Sequence, residues 1–251
     1  MASNWRWFHQ LGSPKWFFEK SAKWLPWLWA LFFILLGLGL YHSLWVSPQD
    51  YQQGHSVRIM YIHVPVAALS MVGYVAMAIA CTIGLVWKMK MAFAAARAIA
   101  PVGAAMTFLA LFTGAVWGKP TWGTWWEWDA RLTSELLLFF LYLGFIALHS
   151  SFSERNKADK AASVLALVGV INVPIIYFSV KWWNTLHQGY SLGTGGVADE
   201  FKPALFIMIA AIYVLFANLV IMRLRAEVLL REQKARWVAD WAKGSEKGVK
   251  R

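Results

Sequence analysis

The sequence predicts an all-α integral membrane protein with six transmembrane helices, both termini cytoplasmic and a tryptophan-rich loop or helix facing outward. Three observations carry this expectation. Of 251 residues, 59% are hydrophobic and 15% charged, whereas a soluble domain carries about a quarter charged residues. Six apolar stretches, at about 24–45, 60–87, 98–117, 132–149, 161–180 and 203–222, each hold 18 residues or more. As helices they cross a hydrocarbon layer of about 30 Å. Lys and Arg divide 19 to 5 between alternate connections, which places the richer side in the cytoplasm. An outer-membrane barrel would need short alternating segments, and none are evident.

Taken in order, residues 1–23 form a basic N-terminus with Arg6, Lys15, Lys20 and Lys23. The first apolar run is too long for the core of a cleavable leader and lacks a small-residue cleavage site, so it reads as a retained span. Spans two to six complete a membrane domain over 24–222 and leave outward connections at about 46–59, 118–131 and 181–202. In the fifth span Asn172 and Pro174 predict a kink, with room for a side cleft. Residues 223–251 read as a basic amphipathic helix continuing the last span, suited to anionic lipid. The formal charge of +11 does not indicate nucleic acid, because the cations are spread between apolar runs. Cys81 is the single cysteine, which excludes an internal disulfide and a multi-thiolate metal site.

The 17 tryptophans exceed what an interfacial belt requires. Trp24, Trp27, Trp29, Trp45 and Trp87 stand at span ends, where an indole with an apolar body and one N–H is favoured. The second outward connection is different. Trp117, Trp122, Trp125, Trp126 and Trp128 crowd into twelve residues, with Gly118 and Gly123 between them. Such rings offer a flat surface for a porphyrin, a quinone or a lipid headgroup, or else form a dense belt. Thr124 and Glu127 have the spacing of a capping box. A helix starting there puts Trp125, Trp126 and Asp129 on one face.

Histidine adds a second constraint. A haem on such a platform needs an axial ligand, and imidazole is a common one. His63, in YIHVPVA before Pro65, and His187, in KWWNTLHQG, flank the Trp-rich segment and share its side. His42 and His55 are rivals there, whereas His149 lies at the opposite face. Arg131, Lys119, Arg58 and Lys181 are the outward cations able to meet propionates. Asp129 is expected to fix the loop through backbone N–H groups or Arg131. Glu135 is the only charge inside a span, and it either pairs with Arg131 at i, i+4 or serves haem delivery or a proton path. No Walker-type phosphate loop and no C-x-x-C-H haem-attachment motif occur.

The stretch WGKPTWGTWWEWDARLTSEL resembles the tryptophan-rich WWD signature of haem-handling proteins in cytochrome c biogenesis. With YIHVP before it, WWNTLHQG after it and six spans, the chain resembles the CcmC family of the System I pathway over nearly its whole length. The larger WWD relative, CcmF, is about twice as long. The resemblance implies a subunit of the bacterial inner membrane that is not an enzyme. It implies non-covalent haem b held by His63 and His187 at the periplasmic face. It also implies a supporting platform made of Trp117, Gly118, Trp122, Gly123, Trp125, Trp126, Trp128, Asp129 and Arg131. The implied partners are the haem chaperone CcmE, the small protein CcmD and the ABC proteins CcmA and CcmB. Read without the resemblance, the alternative is a membrane b-type cytochrome or quinone-linked electron-transfer protein.

Overall fold

A computed structural model describes residues 12–187 and 196–249. Six spans are long and apolar enough to cross a membrane. The first is α1 (Pro14–Tyr41), continued by a wider π-helical turn, His42–Val46. Ser13 caps its start and Pro14 occupies the first turn, where the missing N–H costs nothing. The second is α2 (Met60–Trp87), entered through a tight turn at His55–Ile59. Lys88, in the left-handed conformation, reverses the chain into α3 (Lys90–Trp122). Then follow α4 (Ala130–Ser150), α5 (Arg155–Gly169), α6 (Asn172–Trp182), α7 (Lys202–Arg231) and α8 (Arg236–Val249). Among the described residues the regular structure is helical, with one isolated bridge between Asp50 and Gly54.

Lipid tails are as apolar as leucine, so association of these helices relies on close packing and polar contacts. Helix α3 is rich in small residues: Ala96, Ala100 and Ala104 are buried in the cluster shared with α2, and Ala94 and Ala98 in one shared with α1 and α7. One apolar cluster joins Tyr61, Val66 and Leu69 of α2 to Met106 of α3 and to Leu205 and Met208 of α7. A second joins Tyr74, Met77 and Cys81 of α2 to Leu138 and Tyr142 of α4 and Ile176 of α6. Cys81 is therefore a core residue. By contrast, α1 packs along α7 and leaves Trp24 and Trp27 exposed, as a membrane belt requires.

The kink expected in the fifth span is a full break. The α5 helix ends at Gly169 and α6 begins at Asn172. Pro174 stands in the first turn of α6, where it tolerates the absence of an N–H. Asn172 Nδ2 donates to the Ser134 carbonyl at 2.8 Å, fixing the break to α4. Beside it, between α2 and α6, lies an apolar groove of about 490 Å³ lined by Met71, Val72, Val75, Pro174, Tyr177 and Phe178, among others.

The tail departs from expectation. The last span runs to Arg231, turns at 232–235, and restarts as the separate helix α8. Trp237 and Trp241 of α8 pack on Phe18 of α1 at 5.6 and 5.2 Å between ring centres. That contact folds the tail back against the first helix instead of extending it.

At this same end a buried charge network ties four helices. Arg231 of α7 donates two parallel bonds to Asp159 of α5, both 2.8 Å, and one to Glu227 at 2.6 Å. Arg97 of α3 reaches Glu227 at 3.1 Å, and His149 Nε2 of α4 meets Asp159 at 2.9 Å. His149 is thus committed far from the other histidines of interest.

Candidate functional site

The second span positions the first key residue. His63 is the fourth residue of α2 and is half-buried. Pro65 falls in the second turn of this helix instead of the first, but His63 still stands at the helix start, as expected. Its Nδ1 lies 3.0 Å from Thr113 Oγ1 on α3. One turn further along α3, Trp117 stands T-shaped to His63, with centres 5.7 Å apart and planes at 73°. The Trp117 indole N–H donates to Gln53 Oε1 at 2.7 Å, so the first connection locks the ring in place. At the end of α3, Trp122 stands 6.1 Å from the His187 ring. The His187 backbone N–H donates to Thr185 Oγ1 at 2.9 Å. The two imidazoles lie side by side in space, with ring centres 6.3 Å apart and planes at 38°.

Four predicted residues therefore converge: His63, His187, Trp117 and Trp122. The rivals do not join them. His55 bonds Gln49 at 2.7 Å, and His42 rests on Tyr41 at 5.7 Å.

The rest of the tryptophan segment is arranged differently from the expectation. Gly118 is buried, and a Cβ there would stand 3.1 Å from the Trp122 ring. Gly123 ends α3 with φ at 79°, a left-handed cap that favours glycine. Residues 124–129 are not helical, so the expected capping box of Thr124 and Glu127 does not form. Thr124 Oγ1 instead closes a short local turn, donating to the Trp126 carbonyl and accepting from the Trp126 N–H. The cap is Asp129, whose Oδ1 accepts from the Leu132 N–H at 2.8 Å. A side-chain oxygen there satisfies one of the N–H groups that the first helical turn leaves without a partner. Consequently Trp125, Trp126 and Asp129 do not share a helix face. Trp125 and Trp128 are exposed, while Trp126 packs edge-on against Trp128 at 5.4 Å.

Arg131 acts on the Glu135 carboxyl by charge, in keeping with the pairing alternative. Its guanidinium donates to the Ile176 carbonyl at 3.2 Å, which ties the start of α4 to α6 beyond its break. Glu135 is buried, and its Oε1 has no hydrogen-bond partner among the described residues. Arg131 and Ser70 are the polar groups facing its carboxyl. Lys119 folds onto the Gly123 carbonyl at 2.9 Å. The Nε of Arg58 is buried without a partner among the described residues, while its Nη2 reaches the Ser47 carbonyl at 3.5 Å.

Thr113 and Gln53 join the site without any motif to mark them. The one signal in the sequence is spacing, since Thr113 precedes Trp117 by four residues and so shares its helix face.

Chemically, the arrangement offers two imidazoles between indole walls. Among the described residues no group of three or more His, Cys, Asp or Glu could hold a metal ion by itself. A metal carried in a macrocycle needs only axial donors. With metal–imidazole bonds of about 2.0 Å, two imidazoles on opposite sides of one iron have centres roughly 6 to 6.5 Å apart. The observed 6.3 Å fits that spacing.

The chain is thus a polytopic helical membrane protein that gathers two histidines and two tryptophans at one end of its bundle. It belongs to the heme exporter protein C family, CcmC, whose sequence profile matches residues 7–239. It is 48% identical over 236 residues to "Heme exporter protein C" of Escherichia coli (strain K12), covering 94% of this chain and 96% of that protein. The protein of the same name from Bradyrhizobium diazoefficiens is 50% identical over 228 residues, covering 90% and 86%. A ccmC-like mitochondrial protein of Marchantia polymorpha, named for cytochrome c biosynthesis, is 44% identical over 184 residues, 73% of this chain and 76% of that one.

Proposed function

We propose that this protein handles haem for cytochrome c maturation. It binds haem b as cargo at the periplasmic face of the bacterial inner membrane. His63 and His187 supply the axial nitrogens, and Trp117 and Trp122 wall the macrocycle. The exposed rings of Trp125 and Trp128 meet the haem chaperone CcmE, which receives the cargo. CcmD and the ABC proteins CcmA and CcmB complete the assembly, with CcmA hydrolysing ATP. Both termini then lie in the cytoplasm, in keeping with the cation bias. The observation that carries the reading is the 6.3 Å separation of two imidazoles in a chain of this family. Arg131, Lys119, Arg58 and Lys181 are the cations available on this side to meet the propionates.

The direct test is purification in detergent, followed by an absorption spectrum and acid extraction of haem. A low-spin bis-histidine spectrum with fully extractable haem is expected. A protein purified from haem-replete membranes with no extractable haem would sink the reading.

The division within the tryptophans gives a sharper expectation. Trp117→Ala and Trp122→Ala should each lower the haem retained, because their rings contact the histidines. Trp125→Ala with Trp128→Ala should leave retention near wild type and reduce haem transfer to added chaperone. If the second pair strips haem as strongly as the first, those rings belong to the haem pocket and the docking role falls.

A further inference from the structure

We infer that Thr113 is a positioning residue that fixes His63 as its Nδ1–H tautomer, leaving the Nε2 lone pair as the donor for haem iron. The inference rests on the proposed ligand role of His63, and it follows from proton accounting at one hydroxyl. Thr113 Oγ1 lies 2.6 Å from the Leu109 carbonyl, 3.4 Å from the Ala110 carbonyl and 3.0 Å from His63 Nδ1. A carbonyl only accepts, and a threonine hydroxyl has a single proton. At 2.6 Å two oxygens without a proton between them would repel, so the proton goes to Leu109. Oγ1 therefore has only lone pairs to offer His63, and Nδ1 must carry the hydrogen. In a neutral imidazole the other nitrogen is then bare.

The surroundings hold the ring in that register. Cε1 of His63 lies 3.0 Å from where a Cβ on Gly114 would stand, so the ring sits directly against the α3 backbone. Trp117 stands T-shaped to the ring, and Gln53 holds Trp117 in turn. Helix α3 thus supplies three constraints on one imidazole: an acceptor, a close backbone surface and an indole wall. A hydrogen bond from the non-ligating nitrogen fixes ligand orientation and raises ligand basicity, and its loss typically costs 10- to 100-fold in metal affinity. A more basic axial nitrogen favours ferric over ferrous iron.

Two measurements test this separately. In haem-free protein labelled with 15N-histidine, His63 is assigned by difference against His63→Ala. The wild-type spectrum should show a protonated Nδ1 and a bare Nε2. Thr113→Ser should keep that signature and Thr113→Val should lose it. In haem-loaded protein, Thr113→Val should bind ferric haem about tenfold more weakly relative to ferrous haem, a rise in midpoint potential of about 59 mV for one electron. Thr113→Ser should restore the wild-type potential, which a mere packing role would not predict. An Nε2–H tautomer in wild-type protein overturns the inference, as does Thr113→Val with unaltered nitrogen shifts. If His63→Ala leaves the haem spectrum intact, the ligand reading fails alone, and the nitrogen spectra still decide the role of Thr113.

Discussion

Alanine at His63 or at His187 is expected to abolish the bis-histidine haem spectrum and to lower retained haem by more than tenfold, about 1.4 kcal/mol or more of binding. The amount of protein in the membrane should persist. The separation of these two effects follows from where the side chains sit. Both rings are partly exposed, and neither belongs to a buried apolar cluster. His63 shares one hydrogen bond with Thr113, whose loss removes little from a bundle joined by extensive helix contacts. Each variant nevertheless removes one of two axial donors to a single iron. His55→Ala is the matched control, because that ring is exposed and bonds Gln49. Haem retention at the wild-type level in both site variants would transfer the ligand role elsewhere.

Six almost uncharged apolar runs leave few alternatives to the helical bundle, because backbone groups in lipid must be satisfied within their own helix. Pro174 and Asn172 mark the interruption of the fifth span for the same reason: a missing N–H and a polar side chain both need a local answer. The histidine pair is legible from its side of the membrane and its flanking position, and its closeness agrees with that choice. The start of α4 is harder to read, because two capping signals lie five residues apart. Thr124 satisfies its own local turn, so Asp129 is left to cap α4. The break at 232–235 has no proline or glycine to mark it. It depends on where Trp237 and Trp241 find Phe18, and that contact joins residues more than two hundred positions apart. Thr113 and Gln53 are hidden in the sequence for a similar reason. Each matters through a partner on another element, and a single sequence does not reveal which helix faces will meet.

Asp159→Ala should be the most destabilising change away from the histidine end, at about 3–5 kcal/mol, because it breaks a buried ion pair on one side only. Asp159 is 4% exposed. It accepts both terminal nitrogens of Arg231 and the Nε2 of His149. Removing it leaves the Arg231 guanidinium inside the bundle with Glu227 as its remaining carboxylate, shared with Arg97. Two cations would then face one anion where two faced two. The expected readout is a fall in the midpoint of thermal unfolding in detergent, measured by the fraction of monodisperse protein after heating. Glu154→Ala should move that midpoint little, since the Glu154–Lys157 pair is more than 60% exposed on both sides and such pairs contribute about 0–1 kcal/mol. The decisive comparison is Asp159→Leu combined with Arg231→Met. That double variant removes both charges, fills the space with apolar atoms and leaves Arg97 and Glu227 paired. It should recover most of the lost stability, because an apolar replacement of a buried ion pair is often neutral or better. Stability near wild type in the double variant assigns the network a role in specifying how α3, α4, α5 and α7 meet. A double variant as unstable as Asp159→Ala would instead make the aspartate's bond to His149 the contact that holds this end together.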